Sequence, residues 1–345
     1  PYATLEYPND KDLAEFYPNG LMETGGEILY PWVSRMVMLG LYVTGKVPFK
    51  EVYIHGYVMA EDGSKMSKSI GNVVDPIPLI KEFGSDALRM GIISGRSAAV
   101  NTGYDGRRVV EARNFCNKLW NIARYIESSG VILSENPEPK TLADHWILSR
   151  LNWASERLGE LLESYEFSEG YELIYHLIWD DVADWYIEAS KSSSDEAMLG
   201  YVLETILKLT HPFAPFLTET IWQTITPEDD SLIITSSWPK TVKIDQEKAK
   251  NFEEIKAIVT ELRQIKTALS YDKGLLLHDN NLDKDSEELI KRLAKLEDVK
   301  QTTNGQGLQL NQTADKFWLD VDASTAKKFV DNLKNREVEL SKTID

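Results

Sequence analysis

Cysteine is all but missing from this chain of 345 residues: Cys116 stands alone, which excludes an internal disulfide framework. Histidine is sparse too, with five, so no paired Cys and His set offers ligands for structural zinc. Both absences fit a reducing, cytoplasmic setting. Positive charge is also short, since 38 Lys and Arg stand against 55 Asp and Glu, a net charge of −17 and the opposite sign to a general nucleic-acid binder. Any contact with nucleic acid must therefore be local. No apolar run reaches the roughly 20 residues that cross a bilayer. The longest, Trp32 to Val43, is interrupted by Ser34, Arg35 and Gly40. Pro1 to Asp10 shows neither an initiating Met nor a basic-then-apolar signal pattern, so a cut from a longer polypeptide is expected. Internal repeats and low-complexity tracts are absent as well.

What is present is ordinary globular composition, 42% hydrophobic and 27% charged, at a length expected to hold two or three packed units. Gly20 to Thr24 reads as a short buried strand, Gly25-Gly26 as a tight turn, and Glu27 to Leu41 as a helix with Ile28, Trp32, Met36 and Leu39 on one side. A second strand follows over Glu51 to Val58. Strand, glycine turn, helix and strand suggest part of a parallel α/β sheet with its ligand edge at the strand C-termini. Two strands and one helix cannot cover both faces of such a sheet, so the unit is incomplete.

From Asp105 the period changes. Val109, Ala112, Cys116, Leu119, Ala123 and Ile126 recur at three- and four-residue steps, a long amphipathic helix. Thr141-Leu142-Ala143-Asp144 has capping-box character and opens a second helix through Leu151, Leu158 and Leu162. Ser168 precedes the clearest stripe, Tyr171, Ile174, Tyr175, Ile178, Val182, Trp185 and Tyr186, with Glu172, Asp180 and Asp184 opposite. Two more helices flank the break at His211 to Pro215, and short connections between such stripes predict a bundle. After Trp238-Pro239 the chain is more charged. A helix marked by Phe252, Ile255, Ile258, Leu262, Ile265 and Leu269 leads to strands at Leu275–His278, Gly307–Leu310 and Phe317–Val321, with helices near Ser286–Leu296 and Thr325–Leu340. The expected segments are thus 1–104, half of an α/β domain; 105–240, an all-α bundle; and 241–345, a small α+β domain.

One loop carries the sharpest chemical signal. Gly63-Ser64-Lys65-Met66-Ser67-Lys68-Ser69-Ile70-Gly71-Asn72 follows a strand, and two lysines among small hydroxyl residues make a mobile cationic loop suited to polyphosphate. A solvated basic loop, or a localisation or phosphorylation signal, is the plainer alternative. On the long helix, Asn114, Asn117, Asn121 and Arg124 share a face to which Arg107, Arg108, Arg113 and Lys118 add positive charge. That face suits RNA phosphate and sugar, or simply solvent. Tyr175, Trp179, Trp185 and Tyr186 read as bundle core in preference to a base-stacking platform.

The loop resembles the KMSKS signature of class I aminoacyl-tRNA synthetases, and its surroundings extend the resemblance. Glu23-Thr24-Gly25-Gly26-Glu27 through Met36 looks like the preceding adenosine-binding segment, and Gly84-Ser85-Asp86-Ala87-Leu88-Arg89 like the one that follows. Arg113-Asn114-Phe115-Cys116-Asn117-Lys118-Leu119-Trp120-Asn121 is similar to the first anticodon-domain helix of the valyl enzymes. The resemblance implies a ligase that activates an amino acid, here valine, with ATP and Mg2+ and passes it to tRNA, whose anticodon stem and loop the helical region would hold. Isoleucyl or leucyl specificity, or a tRNA-binding paralogue without catalysis, are the alternatives.

By the resemblance, Lys68 is the chief contact to the β and γ phosphates and Lys65 assists. Met66, Ser67 and Ser69 belong to the same nucleotide-binding loop. Gly25 and Gly26 let backbone approach the adenosine, and Glu27, where valyl enzymes usually carry Asp, accepts ribose hydroxyls or serves only as a helix N-terminal acid. His55 and Gly56 contact adenine mainly through backbone, or His55 is a satisfied core residue. The family's HIGH-type motif, its amino-acid pocket and its inserted editing domain have no counterpart in the sequence. A monomer that binds ATP weakly and forms no adenylate by itself is therefore expected.

Overall fold

A computed structural model describes residues 11–344 apart from 135, 192–194, 227–230, 272–273, 281 and 312–315. Its contacts group into two compact units. One comprises Pro1–Tyr125, Ala154–His176 and Thr205–Pro239; the other Ile126–Trp153, Leu177–Glu204 and Lys240–Asp345.

The first unit contains the α/β element. Strands β1 (Asn19–Gly25) and β2 (Phe49–His55) pair in parallel, with Gly25 opposite His55, so their C-terminal ends are level. The connection is helical from Gly26 to Thr44, changing from a 3₁₀ turn through a π-helical stretch at Leu29–Val33 to the α-helix Ser34–Thr44. Parallel order and the helical crossover are as the sequence implies. Burial is not. In β1 just Thr24 and Gly25 are buried, in β2 just Phe49, and in helix Ser34–Thr44 nothing. Ile28, Trp32, Met36 and Leu39, expected to pack as a stripe, are 43%, 58%, 38% and 62% exposed. A parallel sheet hides its apolar residues when further strands and helices cover both faces, and among the described residues this sheet has two strands.

The second strand also ends earlier than its apolar run. Tyr57 turns away, and Val58–Met59 pairs instead with Thr102–Gly103. Gly56 explains the break: a Cβ there would fall 1.8 Å from Val100 O, because the 97–101 loop crosses the strand end. Ala99 N–H donates to Ile54 O, and Tyr57 N–H to Asn101 Oδ1.

The helices of this unit pack around Met90, Val109, Ala112, Phe115, Leu119, Ile174 and Phe213, all fully buried or nearly so. Of the expected stripe on helix Gly106–Ser128, Val109, Ala112, Leu119, Ala123 and Ile126 are buried and Cys116 is half-buried; Phe115 joins them, its ring stacking on Tyr175 at 5.6 Å and meeting Tyr171 edge-on at 6.0 Å. Ser168 lies in the first turn of helix Phe167–His176. Its Oγ accepts from the Gly95 and Arg96 amides, at 2.8 and 3.3 Å.

In the second unit, Thr141 and Asp144 form the reciprocal capping box that their spacing implies. Asp144 N–H donates to Thr141 Oγ1 at 3.1 Å, and Thr141 N–H to Asp144 Oδ2 at 2.9 Å. Tyr186 is buried and donates to Asp144 Oδ1, whereas Trp185 is half-buried with Lys256 and Arg263 over its ring. Buried Asp181 holds both Arg150 and Lys256. The chain closes on a four-stranded sheet of order 298–301, 275–278, 317–320, 308–309, its middle pair antiparallel. Asp298–Gln301 is a strand that sequence periodicity does not reveal, because Asp298, Lys300 and Gln301 flank a single apolar residue. Helices Gln246–Leu269 and Lys284–Leu293 cover the sheet. Of the residues in the final helix Ala323–Ile344, Phe329 packs on this core and Leu333 is exposed; the side chains of Leu340 and Ile344 lie outside the described residues.

The fold is thus a partial α/β sheet edge, a helical region and a small α+β sheet. Among the described residues no helix is long and apolar enough to cross a membrane.

Candidate nucleotide and RNA site

The level ends of β1 and β2 bring Glu23, Gly25, Glu27, His55 and Gly56 to one edge, and the loop 60–72 returns to it. Lys65 Nζ lies 2.6 Å from Glu27 Oε2 and 5.4 Å from the Tyr57 ring centroid. The Glu27 carboxylate raises the Lys65 pKa through its hydrogen bond and charge, so this ammonium is held charged. Tyr57 is a residue that the sequence reading misses. Its hydroxyl abuts Gly25, where a Cβ would come within 2.3 Å, and its ring meets His55 edge-on at 5.6 Å. An aromatic directly after His-Gly at a strand end is the signal that could have found it. His55 faces Gly56 O through Nδ1 at 3.0 Å and Glu23 Oε1 through Nε2 at 3.3 Å, half-exposed and outside the core.

The loop's shape is set by its own polar side chains. Asp62 Oδ1 accepts from Ser64 N–H at 2.9 Å and from its hydroxyl at 2.6 Å, which lowers the Asp62 pKa. Asn72 closes the other side: its Oδ1 accepts from Ser67 N–H at 2.8 Å, and its Nδ2 donates to Ser64 Oγ at 2.9 Å and Lys65 O at 3.3 Å. Ser67 and Ser69 hydroxyls bond each other at 2.7 Å. Met66 is partly buried, and Lys68 is exposed with no ion pair or hydrogen bond among the described residues. Its ammonium is therefore available to an incoming anion. The arrangement offers two cations on a cross-braced loop beside a carboxylate and a glycine turn. Among the described residues no three His, Cys, Asp or Glu are grouped to hold a metal.

A cleft of about 850 Å3 opens beside the same strands. Glu23, Tyr53, His55 and Gly56 line it, whereas Gly25, Gly26, Glu27, Lys65 and Lys68 do not. The expected nucleotide residues thus divide between the strand-end loop and this cleft wall.

On helix Gly106–Ser128, Arg113, Asn114, Asn117, Asn121 and Arg124 are exposed, and Lys118 is half-buried. Trp120, 39% exposed, lies three and four residues from Asn117 and Arg124 and so joins this face. Two of the expected cations are spent differently. Arg107 makes a bidentate pair with Asp105, and Arg108 donates to Ser94 O beside Gly95. Cys116, on the same helix, is half-buried, and burial pushes its thiol pKa up to about 12, which disfavours the thiolate.

Residues 1–102 match the family model described as tRNA synthetases class I (I, L, M and V), and residues 144–279 match the anticodon-binding domain of tRNA ligase. The valine–tRNA ligase of Geobacillus kaustophilus is 40% identical over 283 residues, covering 77% of this chain and 32% of that protein. The valine–tRNA ligase of Staphylococcus aureus (strain Newman) is 38% identical over 303 residues, 80% of this chain and 34% of that protein. The chain spans about a third of the length of these curated relatives. Among solved structures, a ternary LeuRS–tRNA–LeuAMS complex from Agrobacterium radiobacter aligns with a TM-score of 0.54 and 22% identity, covering 65% of this chain and 29% of that one. Mycobacterium tuberculosis methionyl-tRNA synthetase with methionyl-adenylate gives 0.52 and 22%, covering 64% and 47%. At that identity the structural likeness speaks for the fold.

Proposed function

Because this chain belongs to the class I aminoacyl-tRNA synthetases, we propose that it serves valine–tRNA ligation, supplying the phosphate loop and the tRNA-gripping helices. The observation that carries the proposal is the exposed Lys68 on a loop braced by Asp62 and Asn72, at the C-terminal edge of a parallel strand pair. In the ligation, the valine carboxylate attacks the α-phosphate of ATP and pyrophosphate leaves, and a hydroxyl at the tRNA 3′ end then takes the valyl group from the adenylate as AMP departs. No covalent enzyme intermediate is needed, so placement and positive charge lower the barrier. Lys68 meets the negative charge that grows on the departing β and γ oxygens, and Lys65 assists once released from Glu27. Glu27 accepts ribose hydroxyls. Gly26, Met66, Ser67 and Ser69 shape the surface on which the nucleotide lies, and His55 and Gly56 present backbone to adenine. Mg2+ would accompany the triphosphate and help neutralise its charge.

The exposed apolar residues of Ile28 to Tyr42 are the face on which the remainder of such a catalytic sheet packs. We divide the work among segments 1–104 for the nucleotide, 105–240 for the tRNA and 241–345 for support of the helical region. On the tRNA side, Arg113, Asn114, Asn117, Asn121 and Arg124, with Trp120 between them, face the RNA. Arg107 and Arg108 are assigned to shaping the helix start instead. The chain acts as a monomer in the cytoplasm.

Binding of tRNA transcripts specific for valine, isoleucine and leucine tests the assignment. The valine transcript should bind tightest, with affinity falling steeply with salt. Equal binding of all three would remove valine, and no binding at any salt would remove the tRNA role.

A further inference from the structure

Gly25 ends β1 with φ −80° and ψ 146°, an extended conformation that any residue adopts, so its backbone does not call for glycine. Space does. A Cβ there would lie 2.3 Å from the Tyr57 hydroxyl oxygen and 2.7 Å from its Cζ. The room that this glycine leaves at the strand end is taken by a phenol of the protein itself. Gly26 differs, since a Cβ there would meet Ile54 Cγ2 at an ordinary 3.6 Å.

Tyr57 is held from several sides. Its N–H donates to Asn101 Oδ1 at 2.8 Å, and its carbonyl accepts from Thr102 N–H at 3.1 Å. Its ring meets His55 edge-on at 5.6 Å, and its hydroxyl end rests on Gly25. These contacts come from the ends of both strands and from residues 101 and 102, so they fix the ring without help from the loop 60–72. Asp62 and Asn72 brace that loop on itself, whereas Lys65 reaches out of it, to Glu27 at 2.6 Å and to the Tyr57 ring with its Nζ 5.4 Å from the centroid.

The two holds on Lys65 respond differently to a nucleotide. Glu27 takes a hydrogen of the ammonium and gives it up when it turns to ribose hydroxyls. The aromatic face attracts the cation through its quadrupole and consumes none of the three N–H donors, which stay available to phosphate oxygens. We propose that Tyr57 is a positioning residue of the phosphate loop: its ring, seated on Gly25, keeps Lys65 at the strand edge while Glu27 turns to the nucleotide. The proposal rests on the nucleotide reading of this site, and adds to it a residue and a steric reason for Gly25.

ATP titrations by calorimetry on the full chain, with Tyr57→Leu, Tyr57→Phe, Lys65→Ala and the Tyr57→Leu, Lys65→Ala double variant, test it. Tyr57→Leu should weaken ATP about threefold, the size of an exposed cation–π contact. Tyr57→Phe keeps the ring and should restore affinity to within about twofold of the parent. In the Lys65→Ala protein, Tyr57→Leu should change nothing further, because the cation it positions is gone. In the unsubstituted protein, NMR with labelled lysine should place the Lys65 ε-methylene signal upfield through the ring current of Tyr57 and keep it there when ATP is added, a result that does not depend on how any variant folds. No effect of Tyr57→Leu, an equal effect with and without Lys65, or a methylene signal that moves to the ordinary lysine position on ATP binding would overturn the assignment. ATP affinity untouched by Lys65→Ala would sink it and leave Lys68 and the nucleotide reading standing. No ATP binding by the unsubstituted protein would sink both.

Discussion

Lys65 Nζ and Glu27 Oε2 are 2.6 Å apart, which joins the first lysine of the phosphate loop to the carboxylate that follows the glycine turn. Both side chains are about three-fifths exposed, at 62% and 59%. An ion pair in that setting adds little to folding, so its consequence is positional. A nucleotide that used both residues would have to part them, taking Glu27 with its ribose and Lys65 with its phosphates. Glu27→Gln should therefore leave thermal melting unchanged, weaken ATP, and leave pyrophosphate binding equal or tighter, as read by calorimetry. Equal weakening of both ligands would show that Glu27 only shapes the loop.

Lys68 presents the opposite case, an exposed ammonium without a partner among the described residues. Removing it should cost no stability. If it meets charge that develops on the leaving pyrophosphate, its loss falls on turnover more than on ATP affinity. In the ligase, Lys68→Ala should lower kcat for amino-acid activation by about a hundredfold or more with little change in ATP KM. A change confined to KM would reduce Lys68 to a ground-state contact.

Asp86 gives a pH signature. It is buried, accepts from Leu217 N–H at 2.6 Å and Phe216 N–H at 3.4 Å, and so caps helix Pro215–Ile225. Burial raises its pKa above the ordinary 3.8 despite those bonds and the nearby Arg89. The folded state then holds the proton to higher pH than the unfolded chain. Stability is fully present below the unfolded value and is lost as pH rises through the folded one. Asp86→Asn keeps an acceptor for the cap without that loss. Urea unfolding of both proteins between about pH 4 and 7 should show the variant gaining on the parent as pH rises, then levelling. A difference that is flat with pH would mean the carboxylate is ionised throughout.

How much of this was legible in sequence depended on how local its cause is. Thr141 and Asp144 cap each other within four residues, and the stripe from Val109 to Ile126 repeats with the helix, so both could be read directly. The loop Gly63 to Asn72 stood out because residue type and order alone suggest its chemistry. Contacts between distant segments were not. Nothing near Tyr57 in sequence announces that its hydroxyl fills the space beside Gly25, and nothing near Ser168 that it receives the amides of Gly95 and Arg96. Arg107 and Arg108 stood out by charge alone, which does not reveal that Arg107 pairs with Asp105 or that Arg108 donates to Ser94 O. The helix Ser34–Thr44 failed for a different reason. Its apolar residues were read as a packing face and are exposed, since periodicity cannot say what a face packs against.

That exposed face bears on catalysis by the chain in isolation. Tyr30, Met38, Leu39 and Tyr42 are 85%, 69%, 62% and 89% exposed, beside the strand pair to which the nucleotide is assigned. Activating an amino acid requires its carboxylate to be held in line with the α-phosphate, and misplacement by about 1 Å can cost on the order of a hundredfold. The proposed function assigns the residues gathered at the strand ends to phosphate and ribose, and none of them to a valine side chain. ATP should therefore bind measurably but weakly, and valine-dependent exchange of labelled pyrophosphate into ATP should stay at background. Robust exchange by the isolated chain would mean that two strands and the loop suffice, and the division of labour proposed for the catalytic sheet would fall.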